Sequence, residues 1–482
     1  MAGIKSYGAY IPWHRIDRNV IYSAMGWLDP TTYTLGEKSV ANYDEDAVTM
    51  AVAACINCLN GIDRSVIDGV YFSSLSLPYK QRLNASIIAT ALDLRTDIRT
   101  ADFSASTKAG TTALLAACEA IKAGTARNIL VCTADCLIGK PGSPQEEEYG
   151  DGAAAFLIGK GNVIASFQNF YSVSYDFMDA WMINTDKYNR LGESRWIREE
   201  GYSKFIPEAI SGLMNKCHLA PQDIAKASYP CIFPKPHINI GKIIGFSPEQ
   251  IQDHYFGTFG NTGTAYPLIL LVASLENAKP NDKIIVASFG SGSDALAFQV
   301  TDEITNISIN NKNINNFIAN KEMLTNYNKF VTFRNTITVE KGIRGETVPW
   351  QQTAMAWRNR KELLGLIGTK CKECGTPQYP RQRVCVNPNC RAIDQMEDYR
   401  FSDKKGYLFT YTADSLVFTV NPPQIYGLVN FEGGGRYWYD LTDCKADDIK
   451  VNMPVEMTFR KKFTDANRSI YGYCWKAIPV RT

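Results

Sequence analysis

The chain has 482 residues, of which 45% are hydrophobic and 11% aromatic, so it is long enough for two or three domains with substantial cores. Its 51 lysines and arginines nearly balance its 49 aspartates and glutamates, which excludes binding of nucleic acid or an acidic membrane through overall charge. The first residues lack a signal-peptide pattern, and no apolar run approaches the roughly 18 residues of a membrane span. We therefore expect a soluble cytoplasmic protein.

Over roughly the first 300 residues, short apolar runs rich in β-branched residues alternate with helical stretches. Four of these runs are Gly69–Ser74, Asn128–Thr133, Ala153–Ile158 and Lys283–Ser288. Strands that are apolar on both faces, with helices between them, indicate a layered α/β fold. A short pattern at Ile67–Ser73 recurs at Ile224–Phe233, which suggests an internal duplication with halves at 1–165 and 166–338.

Beyond about residue 300 the composition changes. A polar, asparagine-rich stretch from Asn306 to Asn328 is typical of a linker or of a surface helix and loop. A helical segment and a cysteine cluster follow at 339–400, and short β-rich runs separated by turn residues occupy 401–482. Such runs predict a small β-barrel, for which we favour an OB-fold. We expect this C-terminal module to fold independently of the rest.

Four of the thirteen cysteines are clustered, as Cys371-Lys-Glu-Cys374 and Cys385-Val-Asn-Pro-Asn-Cys390. Two short knuckles about ten residues apart allow four thiolates to converge tetrahedrally on one Zn²⁺. A complete thiolate shell leaves no position for a water nucleophile, so we expect a structural zinc ribbon of the rubredoxin-like type. The alternative is four unrelated free thiols.

Seven short segments in the first 300 residues carry a recognisable pattern. They are Gly3–Pro12, Glu37–Val40, Asp44–Ala51, Thr107–Thr111, Gly150–Ala155, Gly260–Thr262 and Gly290–Ala295. Together they resemble archaeal and bacterial 3-hydroxy-3-methylglutaryl-CoA synthases of the thiolase superfamily. Residues 345–482 resemble the zinc-ribbon and OB-fold proteins that accompany such enzymes, usually as a separate chain. The resemblance implies an α/β thiolase-like layered (αβαβα) fold, a homodimer, and a tunnel for coenzyme A.

The resemblance also implies a catalytic set that this sequence has largely lost. In the family a cysteine accepts the acyl group, a glutamate moves a proton, and a histidine and an asparagine polarise carbonyl oxygens. Here Thr107 replaces the cysteine, Leu75 the glutamate and Pro234 the histidine, whereas Asn261 is retained. An aliphatic hydroxyl needs a strong neighbouring base before it can act as a nucleophile. We therefore expect a degenerate active site that cannot perform the usual acyl transfer.

Five side chains remain candidates for catalysis. Thr107, at the start of a helix, can donate a hydrogen bond to an oxyanion or simply cap the helix. Ser106 is an alternative nucleophile. His237 and His254 are candidate acid–base groups, with a packing role as the alternative for each. Asn261 can hold a thioester oxygen with its amide dipole.

The resemblance also suggests residues that bind coenzyme A. Gly290 and Gly292 would let the backbone approach the ligand closely. Lys235 and Lys242 are candidates for binding its phosphates, with an ordinary solvated charge as the alternative.

Two functions stay open. The first is an enzyme, of the acyltransferase or carbon–carbon lyase type, that binds acyl-CoA and forms or cleaves a carbon–carbon bond without an acyl-cysteine. The second is a non-catalytic scaffold that binds coenzyme A and partners an active thiolase or synthase. Nucleic-acid binding is not expected, because residues 340–482 have no basic stripe. We favour the enzyme, which should have a clear apolar tunnel with a polar end near Thr107, whereas in a scaffold side chains can fill that tunnel.

Overall fold

The computed structural model describes residues 1–30, 33–306, 312–346 and 349–481. Within these ranges the chain forms 22 β-strands and 14 α-helices. The strands are β1 (Ala2–Tyr10), β2 (His14–Asp17), β3 (Glu37–Val40), β4 (Gly69–Ser73), β5 (Arg99–Phe103), β6 (Asn128–Cys136), β7 (Asp151–Lys160), β8 (Ala165–Ser174), β9 (Ala180–Trp181), β10 (Arg190–Leu191), β11 (Lys226–Ser228), β12 (Lys283–Ala287), β13 (Gly292–Val300), β14 (Glu322–Leu324), β15 (Ile367–Cys371), β16 (Pro377–Gln378), β17 (Met396–Arg400), β18 (Gly406–Asp414), β19 (Gln424–Phe431), β20 (Arg436–Asp440), β21 (Pro454–Asp465) and β22 (Ile470–Pro479). The helices are α1 (Arg18–Met25), α2 (Ala47–Cys58), α3 (Asn84–Ala91), α4 (Ala109–Lys122), α5 (Pro144–Glu148), α6 (Ser194–Trp196), α7 (Ser203–Cys217), α8 (Pro234–Ile244), α9 (Tyr266–Glu276), α10 (Ile314–Ala319), α11 (Tyr327–Phe333), α12 (Gly342–Gly345), α13 (Thr353–Arg358) and α14 (Arg360–Gly365). None of the described helices has the length and apolar character needed to cross a bilayer.

Nine strands form one mixed sheet in the order β11-β12-β13-β8-β1-β7-β6-β4-β5. β5 and β6 run parallel to β4, and β11 runs parallel to β12. The remaining neighbours are antiparallel. The sheet has two halves, one made of β1 and β4–β7 and the other of β8 and β11–β13, which join where Gly3 pairs with Ser166.

Two buried helices lie between the halves of the sheet. Every residue of α9 from Tyr266 to Leu275 is buried, as expected for a helix that is apolar on all sides. It packs on β7 and β12, while α4 packs on β6 and β13. Alternate strand residues face these helices or the outer ones: Ile129 belongs to the central core, whereas Leu130 belongs to the core beneath α2 and α3. With α7 and α8 covering the other half, the predicted αβαβα layering is confirmed.

The C-terminal region contains two further sheets. A three-stranded sheet, β16-β15-β17, carries the cysteine cluster, and a five-stranded sheet has the order β20-β19-β18-β21-β22. A bridge between Leu441 and Ala477 brings the end of β20 back to β22. This closure makes the five strands a small barrel, so the predicted zinc ribbon and OB-fold are confirmed.

The barrel docks on the layered domain through buried charges. Arg460 of β21, whose side chain is 1% exposed, contacts Glu45 and lies 2.6 Å from Asp443 Oδ2. Lys476 Nζ of β22 lies 2.9 Å from Asp44 Oδ2. A single hydrophobic core also contains residues of both α2 and β22. This shared core argues against the independent folding that the composition suggested.

The Asp44–Ala51 segment has a second structural role. Asp46 is the N-cap of α2, and it forms a reciprocal capping box with Thr49. Its other carboxylate oxygen accepts a hydrogen bond of 2.8 Å from the hydroxyl of Tyr473 in β22. The start of α2 is therefore also part of the joint between the layered domain and the barrel.

Candidate functional site

A cleft of about 1430 Å³ lies between the layered domain and the barrel. One wall contains the turns after β4 and β5, the end of β6 and the segment between β8 and β9, and the other contains the loop after β18 and part of β21. We call the part lined by Leu75–Leu77, Ala105–Thr107 and Cys136–Ile138 the Thr107 end. Leu75 and Thr107, two of the three positions that we predict to be altered from the family pattern, thus face an open space.

Thr107 lies in a tight turn that joins β5 to α4. Ala105 in this turn has φ +76°, a left-handed conformation that non-glycine residues rarely adopt and that often marks a functional site. The Thr107 hydroxyl donates a hydrogen bond to the carbonyl of Phe289, and Ser106 Oγ donates one of 2.9 Å to the carbonyl of Gly290. Both candidate hydroxyls are therefore held by the neighbouring turn.

Two glycines in the turn that follows β12 let its backbone pack closely against Thr107 and β8. Gly290 has φ +150°, and a Cβ atom there would lie 2.1 Å from Thr107 Oγ1. Gly292 has φ +119°, and a Cβ atom there would lie 2.1 Å from the carbonyl oxygen of Val173. Both positions need glycine for packing, while their contact with a ligand stays a prediction.

A buried carboxylate fixes the backbone around Leu75. Asp135, near the end of β6, accepts hydrogen bonds from the hydroxyls of Ser74 and Ser76, both 2.9 Å, and from the N–H of Leu75, 2.7 Å. Its second oxygen accepts the N–H and hydroxyl of Thr264, both at 2.8 Å. Burial raises the pKa of Asp135, and the hydrogen bonds from Thr264 oppose that shift. Asp135 therefore joins the wall of the cleft to the turn before α9.

A second acidic side chain lines the cleft itself. Asp179 is 8% exposed, and its carboxyl lies near the backbone of Ala180 and Ser291, which opposes the effect of burial on its pKa. Burial raises the pKa of this carboxyl. In the described part of the chain, no ion pair joins Asp179 to a lysine or arginine. The turn at 290–291 therefore has Thr107 on one side and a buried acid on the other.

The former histidine position lies apart from the cleft. Pro234 is the first residue of α8, where proline is favoured because its missing N–H would have no partner in the helix. His237, one turn later, is buried with its Nδ1 3.2 Å from the hydroxyl oxygen of Tyr202. That hydroxyl donates its proton to Pro230 at 2.7 Å, so the imidazole proton lies on Nδ1.

The two candidate histidines contact each other. The rings of His237 and His254 are 5.2 Å apart and nearly perpendicular. Burial lowers the pKa of His237 to about 3 and also lowers the pKa of His254. Asn261 is half-buried, and its side-chain oxygen accepts the N–H of Gly263 at 3.0 Å. None of these three lines the cleft in the described residues, and their catalytic roles stay predictions.

The lysines around the cleft differ from those singled out in the sequence. Lys235 and Lys242 lie exposed on α8, outside the lining of the cleft. The solvent-accessible lysines that line it are Lys80, Lys187, Lys341, Lys461 and Lys462. Two of these come from the barrel, so both domains contribute positive charge.

The four clustered cysteines have the geometry of a metal site. Cys371 and Cys390 have their sulfur atoms 3.8 Å apart, and those of Cys374 and Cys385 are 3.5 Å apart. All four sulfurs lie within 4.8 Å of one another. A tetrahedral Zn²⁺ with Zn–S bonds of about 2.3 Å sets neighbouring sulfurs about 3.8 Å apart. These residues fit a structural zinc.

Sequence reasoning missed Asp135 and Asp179. An acidic residue that closes an otherwise apolar strand, as Asp135 does in β6, is a signal for a buried carboxylate with structural partners. Asp179 has no such local signal, because the turn that it contacts lies far along the chain.

The layered domain is similar in sequence to known proteins. Hydroxymethylglutaryl-CoA synthase of Methanocaldococcus jannaschii is 35% identical over 351 residues, which make up 70% of this chain and 99% of that protein. The chain belongs to the hydroxymethylglutaryl-CoA synthase family. The synthase of Aeropyrum pernix is also 35% identical, over 63% of this chain and 86% of that protein.

Solved structures agree with this family assignment at the level of fold. An HMG-CoA synthase crystallised with CoA superposes with a TM-score of 0.61 at 17% identity, covering 73% of this chain and 95% of that one. The 3-oxoacyl-[acyl-carrier-protein] synthase III of Aquifex aeolicus has a TM-score of 0.56 at 18% identity, covering 62% of this chain and all of that one (100%). The thiolase-like fold is thus confirmed for this family member.

The C-terminal module matches two families of its own. Residues 362–394 match the rubredoxin-like zinc ribbon domain of ChsH2, and residues 399–460 match its C-terminal OB-fold domain. With the sulfur geometry above, the predicted structural zinc ribbon is confirmed. This synthase-family chain therefore carries a ribbon and barrel fused to its thiolase-like domain.

Proposed function

We propose that this protein binds an acyl-CoA in the cleft between its two domains and forms or cleaves a carbon–carbon bond without a covalent acyl-cysteine. The observation that carries the proposal is the cleft, which is open and reaches Leu75 and Thr107. A scaffold that had lost its ligand would be free to fill this space with side chains. Leu75 and Thr107 instead line a cavity of about 1430 Å³.

The charge around the cleft supports coenzyme A as the ligand. Lys80 and Lys187 come from the layered domain, and Lys461 and Lys462 come from β21 of the barrel. Lysines are suited to bind the phosphates of a nucleotide tail. Among solved structures of similar fold, one HMG-CoA synthase holds CoA and MvaS holds 3-hydroxy-3-methylglutaryl coenzyme A.

The chemistry proposed here runs through an enolate. A base removes a proton from the carbon next to the thioester carbonyl, and the resulting enolate attacks a second carbonyl carbon, whose C=O bond opens to an alkoxide that takes up a proton. In the cleavage direction the hydroxyl loses that proton, the carbon–carbon bond breaks as the C=O bond re-forms, and the base returns a proton to the enolate carbon. Asp179 is our candidate for this base, because its raised pKa makes its carboxylate more basic than an exposed one. Thr107 is less suited to attack a thioester, because its hydroxyl already donates to Phe289 and no base adjoins it in the described residues.

Exchange of α-protons tests this proposal without knowledge of the full reaction. The protein would be incubated with acetyl-CoA or butyryl-CoA in D₂O, and loss of the α-proton signal followed by NMR. We expect exchange to fall at least about 100-fold in Asp179→Asn. Asp176→Asn is the matched control, because Asp176 is exposed and outside the cleft. Exchange that survives in Asp179→Asn, or an acyl adduct on intact wild-type protein, would contradict the mechanism.

The scaffold remains the second candidate, because the hydroxyls of Thr107 and Ser106 are already committed to the protein's own carbonyls. A scaffold would bind coenzyme A, show no exchange, and co-purify with an active thiolase or synthase. We also propose a homodimer in the cytoplasm, on the basis of the family resemblance and of thirteen cysteines that form no disulfide. Light scattering that gave a monomer mass would contradict the dimer.

A further inference from the structure

The Thr107 end of the cleft has a wall whose side-chain hydroxyl groups are already in use. We infer that it holds the acyl group as an apolar hydrocarbon chain without a second carboxylate. This inference rests on the proposed function, since it requires a coenzyme A thioester to enter the cleft. It specifies the substrate class that the proposed site would take.

The hydroxyl groups at this end have no proton left to donate. A serine or threonine hydroxyl donates one hydrogen bond. Thr107 donates to Phe289 and Ser106 donates to Gly290. Ser76 donates to Asp135 at 2.9 Å. These hydroxyls therefore offer no donor to a polar acyl group unless a bond within the protein is broken.

The Thr107 end also offers no free positive charge, among the described residues, to pair with an acyl carboxylate. Arg334 lines the cleft and is the nearest candidate to balance an acyl carboxylate, but its side chain is only 8% exposed. One terminal nitrogen is paired with Asp151 at 2.5 Å, and the other donates to the carbonyl of Leu137. Among the described residues, the segments that form the Thr107 end contain no lysine or arginine. A second carboxylate would be placed here without a partner, which is costly in a partly buried site.

The remaining side chains at the Thr107 end are mostly hydrocarbon. Leu75, Leu77 and Ile138 line it with half-buried side chains. Cys136 adds a thiol whose pKa burial raises well above its ordinary value, so this group stays neutral. Removing one methylene from water gains about 0.8 kcal/mol, which corresponds to about fourfold in affinity. Each added methylene of an acyl chain should therefore tighten binding by up to about that factor until the end is filled.

Thioether analogues of coenzyme A test the inference, because they bind but cannot react. Calorimetry would compare coenzyme A with its S-ethyl, S-butyl, S-hexyl and S-(3-carboxypropyl) derivatives. We expect affinity to rise by about twofold to fourfold per methylene, and the carboxypropyl derivative to bind more weakly than the butyl one. Leu75→Glu should abolish the rise with chain length.

Two further variants keep the test interpretable. Leu75→Ala carries no charge and should flatten the rise partly, which covers the case in which Leu75→Glu fails to fold. Ile243→Glu adds the same charge on the exposed face of α8, away from the cleft, and should change nothing. Affinity that is independent of chain length, or strongest for the carboxypropyl derivative, would overturn the inference and leave the proposed function standing. No binding of any analogue would refute the proposed function, and the inference with it.

Discussion

Replacing Arg460 with leucine should destabilise the joint between the layered domain and the barrel. The guanidinium contacts Glu45, lies 2.6 Å from Asp443 and 3.8 Å from Asp44, and is almost completely buried. Leucine cannot balance these three carboxylates, and only Lys476 would remain, on Asp44. Removing one partner of a buried ion pair costs about 3–5 kcal/mol, because the remaining charge is left without compensation.

The cost should depend on pH. Burial has already raised the pKa of Glu45 to about 7 while Arg460 opposes the shift. Without the arginine that pKa rises further, so Glu45 takes up a proton more readily in the folded variant. Arg460→Leu should therefore lose more stability at pH 8 than at pH 6.

Urea unfolding measures this loss, with circular dichroism for the whole chain and zinc release for the ribbon. Because one core contains residues of α2 and β22, we expect both signals to shift together to lower urea. Arg195→Leu is the matched control: Arg195 is 73% exposed and 3.1 Å from Glu199, which is 49% exposed, and such a surface pair contributes at most about 1 kcal/mol. If Arg460→Leu were no less stable than Arg195→Leu, the joint would not be held by these charges.

Three further changes test other parts of the structure. Cys374→Ser removes a zinc ligand and should lower bound zinc, measured by mass spectrometry, whereas Cys474→Ser lies outside the cluster and should retain it; equal zinc in both variants would contradict the site. Asp135→Ala leaves several buried donors without an acceptor and should cost about 3 kcal/mol in urea unfolding; an unchanged midpoint would show that these hydrogen bonds are dispensable. Burial lowers the pKa of His14 to about 4, so the unfolded chain binds the proton first and stability falls by about 2 kcal/mol between pH 7 and pH 5. His14→Phe should lose that part of the pH dependence, and an unaltered pH profile would rule out His14 as its source.

The sequence was most informative where the signal is local. The cysteine knuckles contain their metal geometry within 20 residues, and the buried helix α9 is visible as an unbroken apolar segment. The cleft could not be predicted in this way, because its walls come from the turns near Leu75 and Thr107 and from β21, hundreds of residues apart. The segment that begins at Asp44 stands out in the sequence only as a family motif, since its partner Arg460 can be identified only once the barrel is in place.

The candidate residues for catalysis and for phosphate binding also show that sequence signals are local. The family resemblance points to Pro234 and His237, but helix α8 packs them away from the cleft. The resemblance also suggests Lys235 and Lys242, whereas Lys461 and Lys462 become relevant only when β21 docks beside the cleft.

The covalent link between the two domains affects how the cleft depends on dilution. Arg460 and Lys476 would be hydrated on a separate barrel, and each encounter would have to remove that water before the buried pairs formed. On a single polypeptide, the two surfaces meet at an effective concentration on the order of millimolar. The cavity therefore assembles within each molecule, and its affinity for a ligand should be the same at nanomolar and micromolar protein. A two-chain version of this site would lose ligand as its halves separated.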